Sequence, residues 1–147
     1  MQMTKDELRE ILNGTKPLQL AGIDLSKADL NQTDLSKADL TGADLNGAFL
    51  DKARLRYADL TNANMEGAFL SEANFHGAIL MEADLSDTNL QDADLSGAKL
   101  NHANLCFANL TGANISGIDL NGAKYNIYTQ WPDGFDPVGA GAVLLEA

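Results

Sequence analysis

Large apolar residues stand at every fifth position from Leu20 to Tyr125 without a gap, and this period constrains the fold more than any other feature. Of these 22 positions, 18 are Leu, and the others are Met65, Phe75, Ile115 and Tyr125. Two residues before each lies a smaller apolar position, Ala in 17 of the 22 cases. A period of five fits neither the 3.6 of a helix nor the 2 of a long strand. Residues two apart do share one side of a short extended stretch. With the large residue labelled i, positions i−2 and i point inward and i−1 points outward. Position i−1 is mostly Asp or Asn, as in Asp24, Asp29, Asp34, Asp39 and Asp44.

Positions i+1 and i+2 must then turn a corner. Position i+1 is mostly Ser, Thr or Asn, and i+2 holds nine of the 13 glycines, as a turn with positive φ favours. Each pentad is therefore one flat side and one corner of a coil. Glycines recur at a spacing of 20 four times, at 25 three times and at 15 once, which favours four sides per coil. An outward acid such as Asp84 is expected to tolerate replacement within about 0.5 kcal/mol.

The tract Ala38-Asp39-Leu40-Thr41-Gly42-Ala43-Asp44-Leu45-Asn46-Gly47-Ala48 resembles the A-(D/N)-L-x-x motif of the pentapeptide-repeat family. The resemblance implies an all-β fold, a right-handed quadrilateral β-helix with one coil per four pentads. It spans residues 18–127, about 22 pentads or 5.5 coils. At ~4.8 Å between stacked strands that is a rod of roughly 26 Å. Such a solenoid needs its open ends covered.

Residues 1–17 are expected to form an N-terminal capping helix. Thr4 and Glu7 make a capping box, Leu8, Ile11 and Leu12 form one apolar stripe, and Gly14 suits the position after the C-cap. Residues 128–147 form a C-terminal cap or tail that resembles the ending of small cyanobacterial members of the family. Trp131 and Phe135 have the size to plug the last Leu layer, and Asp136-Pro137 is a candidate start for a short helix. The other use for this tail is a dimer contact through Ala142-Val143-Leu144-Leu145, so the chain is expected to be a monomer or a dimer.

The chemistry is sparse. Cys106 is the one cysteine, and His76 and His102 are the two histidines. His102 and Cys106 fall on different corners, and no nucleophile triad, phosphate loop or metal-ligand spacing is present. No catalysis and no cofactor or metal are expected. With 10 basic and 21 acidic residues the net charge is −11, which argues against direct binding of nucleic acid or an anionic membrane. No apolar run approaches the ~18 residues of a membrane span, and no signal peptide is evident, so a cytoplasmic location is expected.

The outward departures mark a candidate partner surface. Phe49 and Phe69 take the usual Asp/Asn position 20 residues apart, so they should stack in adjacent coils. Arg54, Arg56 and Tyr57 form the one basic cluster, and Ile79 and Met81 add an apolar corner. The functional expectation is a rigid scaffold that binds an unidentified protein partner. The alternative implied by the family is an acidic DNA mimic that binds or inhibits a topoisomerase such as DNA gyrase.

Overall fold

The computed structural model describes residues 3–146; Met1, Gln2 and Ala147, at the tips of the two expected end segments, lie outside the described residues. The repeat winds as a solenoid. Parallel bridges join Gln19 to Asp39, Asp24 to Asp44, Asp29 to Phe49 and Asp34 to Arg54, and the 20-residue step continues to Asn104 and Lys124. Four pentads therefore make each coil.

All five main-chain amides of the segment 83–87 have an acceptor. Ala83 N–H closes the corner on Leu80 O (3.2 Å), and Asp84 N–H reaches down to Ala63 O (3.0 Å). Leu85 N–H reaches up to Asn104 O (2.8 Å), and Asp87 N–H to Cys106 O (3.0 Å). The fifth amide, Ser86 N–H, has no main-chain partner and donates to Asp84 Oδ1 at 3.0 Å, where Ser86 Oγ also donates at 2.6 Å. All 15 Asp and Asn residues at i−1 accept the same amide two residues on. Buried donors must be satisfied, and this side chain supplies what the ladder does not.

Regular strands are confined, among the described residues, to β1 (Lys124–Tyr125) and β2 (Val143–Leu144). The reason is length. Each side has three residues, of which only the middle one bridges, before position i+2 turns left-handed. Glycine is not obligatory there: 12 other residues adopt φ of 57–63°, including Tyr57 (57°) and Phe107 (63°). A bulky residue in that region is strained, so these two are unusual corners.

Inside, Leu30, Leu40, Leu50, Leu60, Leu70 and Leu80 are fully buried with the Ala columns beside them. Phe75 fits the same centre, and Thr88 replaces an Ala by donating its hydroxyl to Leu85 O at 2.7 Å.

At the amino end, α1 (Lys5–Leu12) begins at the Thr4–Glu7 capping box. Leu8, Ile11 and Leu12 pack partly buried against the core, but no helix residue is fully buried. Asn13 is the C-cap, and Gly14 follows it without adopting the left-handed conformation. At the carboxyl end the ladder runs past residue 127. Asn109 bridges Gln130 after a step of 21, because Asn126-Ile127-Tyr128 makes a corner one residue longer. Thr129 takes the inward position, and its hydroxyl donates to Leu105 O at 2.8 Å.

Trp131 then packs edge-on to Tyr125 (5.4 Å) and against Phe135 (5.2 Å). The helix expected after Asp136-Pro137 does not form. Asp136 Oδ1 accepts Gly139 N–H (3.0 Å) to close a single turn, and Gly141 at φ 93° ends it. The chain then returns as β2, which pairs in parallel with β1 and adds a further rung.

Leu80→Ala should lower unfolding free energy by about 2–5 kcal/mol through the cavity it leaves. Asp84→Ala should cost about 1 kcal/mol, more than an outward acid alone, because it removes the acceptor of Ser86; denaturant titration separates the two. Hydrogen bonds from the Ser26, Ser36 and Thr41 hydroxyls and amides hold the Asp24, Asp34 and Asp39 carboxyls below their ordinary range. A depressed folded-state value stabilises above the unfolded pKa of about 3.9 and is lost as pH falls through the folded value. Melting temperature should hold from neutrality to about pH 5 and drop below about pH 4.

Candidate functional site

The four walls differ in what stands at i−1. Wall A carries Gln19, Asp39, Asp59, Ile79, Lys99 and Asp119; wall B carries Asp24, Asp44, Asn64, Asp84, Asn104 and Lys124. Wall C carries Asp29, Phe49, Phe69, Asn89, Asn109 and Gln130, and wall D carries Asp34, Arg54, Asn74, Asp94 and Asn114. From Phe49 upward, wall C alone is free of charge.

Phe49 and Phe69 stack in parallel, with centroids 5.0 Å apart, an interplanar angle of 3°, and 40% and 42% exposure. Each displaces the carboxylate or amide that would close its corner, and the corner is rewired. Asn31 Oδ1, from the coil below, accepts Asp51 N–H at 2.8 Å, and Asp51 Oδ1 accepts Ser71 N–H at 2.9 Å.

The other candidate residues lie elsewhere. Arg54 Nε is 3.9 Å from Asp34 Oδ1 with both side chains about half exposed, an ion pair that contributes ~0–1 kcal/mol. The Arg56 guanidinium is 5.8 Å from the Tyr57 ring centre, and Tyr57 meets His76 edge-to-face at 5.4 Å while lying over Gly77. Ser96 Oγ donates to Asp94 Oδ1 at 2.6 Å, so it accepts from His76 Nδ1 at 2.8 Å. Ile79 is on wall A, half-buried, and Met81 is at the next corner. Wall A is opposite wall C, so one flat partner cannot cover both Phe49–Phe69 and Ile79–Met81. The fold groups Arg54, Arg56 and Tyr57, keeps the Phe pair together, and separates the two sets.

A second aromatic stack was not foreseen. Phe107 and Tyr128 are parallel at 5.4 Å and 7°, on the corner between walls B and C, and more than half exposed. The longer corner at 126–128 brings Tyr128 over Phe107, and 20-residue arithmetic pairs Phe107 with Ile127 instead.

Reactive groups do not converge. His102 and Cys106 occupy different corners, and burial, with the nearby charge of Asp84, pushes the Cys106 thiol up. Among the described residues no three His, Cys, Asp or Glu side chains gather as metal ligands, and no helix is long and apolar enough to cross a membrane. A cavity of about 520 Å³ lies between α1 and the first coil, with Met3, Leu8, Leu12, Leu25 and Ala28 among its lining.

Comparison with known proteins agrees with this geometry. The sequence matches the family described as Pentapeptide repeats, in 8 copies, over residues 19–56, 50–87, 58–97 and 88–124. No curated protein matches it. Among solved structures it is similar to the pentapeptide repeat protein Rfr23 from the cyanobacterium Cyanothece 51142. The identity is 30%, the match covers 77% of this chain and 87% of that one, and the TM-score is 0.56. The pentapeptide repeat protein alr5209 from Nostoc PCC 7120 is 30% identical over 99% of this chain and 98% of that one, with a TM-score of 0.43. HetL from Nostoc sp. strain PCC 7120, described as involved in heterocyst differentiation regulation, is 36% identical. That match covers 74% of this chain and 60% of that chain, with a TM-score of 0.44. The family forms a right-handed β-helix. The 20-residue coils and the matched repeats establish that the chain belongs to the pentapeptide-repeat family.

Proposed function

We propose that this protein is a non-catalytic, rigid scaffold, a right-handed quadrilateral β-helix that binds a protein partner through wall C. α1, with Leu8, Ile11 and Leu12, and the tail with Trp131 and Phe135 act as its two caps. The observation that carries the reading is the Phe49–Phe69 pair. Two exposed aromatics stand where 15 other pentads place the residue that closes the corner, and they do so on the one wall that is free of charge from Phe49 upward. Sheets usually keep such groups off exposed faces, and aromatics are favoured anchors in interfaces. Closed backbone ladders hold the pair in place, so a partner meets a preformed surface.

DNA mimicry gains less support. Walls A, B and D mix acids with Lys or Arg or with Asn, and wall C carries one acid, so no wall presents an unbroken acidic column.

Phe49→Asn with Phe69→Asn tests the proposal. Removing the stack costs about 0.5–1.5 kcal/mol, and the Asp51 and Ser71 amides keep their acceptors on Asn31 and Asp51. The double variant should therefore stay folded with a melting temperature only a few degrees lower, and affinity capture from lysate should lose the partner held by the wild type. A folded variant that retains the same partners would remove wall C as the site.

A further inference from the structure

From the charge around wall C we infer the chemistry of its occupant: a basic amphipathic helix lying along the rod. The inference rests on the proposal that wall C is the interaction surface. Both corners that border this wall are acidic. Glu66 and Asp87 stand on one edge, and Asp51, Glu72 and Asp92 on the other, against only Lys27 and Lys52. Glu66, Asp87, Glu72 and Asp92 are exposed, while the wall between them carries no charge from Phe49 to Gln130. The strip is aromatic at Phe49 and Phe69 and continues through the uncharged Asn89, Asn109 and Gln130, and interfaces likewise keep charge to the rim around an uncharged core. Its complement is an apolar stripe flanked on both sides by Lys or Arg.

The backbone selects a helix over a strand. Phe49 N–H and Phe69 N–H are bonded to Ala28 O and Ala48 O, and their carbonyls accept from Leu30 and Leu50. At Phe49 and Phe69 the ladder is complete and offers no open edge for strand addition, so the occupant is held there by side chains. Dimensions agree. Three residues give a wall about 10 Å wide, close to a helix diameter of about 10–12 Å. The four steps from Phe49 to Gln130 span about 19 Å, the length of roughly 13 helical residues.

A displayed library of helical peptides of about 14 residues, selected on the wild type and depleted on the Phe49→Asn, Phe69→Asn variant, tests this. The enriched peptides should share apolar residues at helical spacing flanked by Lys or Arg. Their binding should weaken about tenfold on the double variant, weaken on a Glu72→Gln, Asp92→Asn variant, and fall as salt rises. Enrichment of acidic, uncharged or proline-containing extended peptides would overturn the inference, as would a selection that yields no Phe-dependent peptide. So would self-association of the wild type that the double variant abolishes, because the occupant would then be a second copy. If lysate partners are lost with the Phe pair yet the rim substitution and salt change nothing, the scaffold proposal stands and the helix inference fails.

Discussion

The fold depends on one hydrogen bond repeated along the rod. A five-residue side-and-corner unit offers five amide donors, and the ladder and the corner satisfy four. The amide at i+1 faces the outward side chain two residues before it, and only a short side chain with an acceptor oxygen fits that approach. Asp and Asn do, as Asp84 with Ser86 and Asn104 with Cys106 show. Leu ladders drive the burial, but any large apolar residue at i would supply that; Met65, Phe75 and Tyr125 all serve. The outward position, which periodicity alone assigns to solvent, is the one that fixes corner geometry.

That constraint makes exceptions informative. A residue other than Asp or Asn at i−1 leaves an amide to be satisfied otherwise, and at Phe49 and Phe69 the coil below does so through Asn31 and Asp51. The rewiring spans three coils on one edge of one wall. Tyr57 and Phe107 are exceptions of a second kind, since both hold aromatic rings in the left-handed region where glycine is at ease. Each ring gains a neighbour in the coil above: Tyr57 meets His76, and Phe107 meets Tyr128. Aromatic contacts between coils offset local backbone strain at both corners.

Much of this was legible in the sequence because the period is short and unbroken. The inward columns, the 20-residue coil, the Thr4 capping box and the Phe49–Phe69 stack all follow from counting. The features that escaped are those where counting fails. One additional residue at 126–128 shifts the register and hides the Phe107–Tyr128 stack. Asp136-Pro137 has the chemistry of a helix start, but Gly139 and Gly141 lie in the turn that follows, and the chain reverses to pair with β1. The basic cluster and the Phe pair are near in sequence yet separate in space, because five residues carry the chain around a corner. Periodicity points Asp84 outward, and says nothing of which amide its side chain meets.

The central claim is that the carboxylate or amide closes the corner wherever Asp or Asn stands at i−1. Amide hydrogen exchange followed by NMR in the wild type and in Asp84→Ala tests it most directly. The account predicts that Ser86 N–H is protected in the wild type and exchanges far faster in the variant, while Leu85 and Asp87, bonded to the coil above, stay protected. Unchanged exchange at Ser86, or a loss of protection spread evenly over the coil, would contradict it.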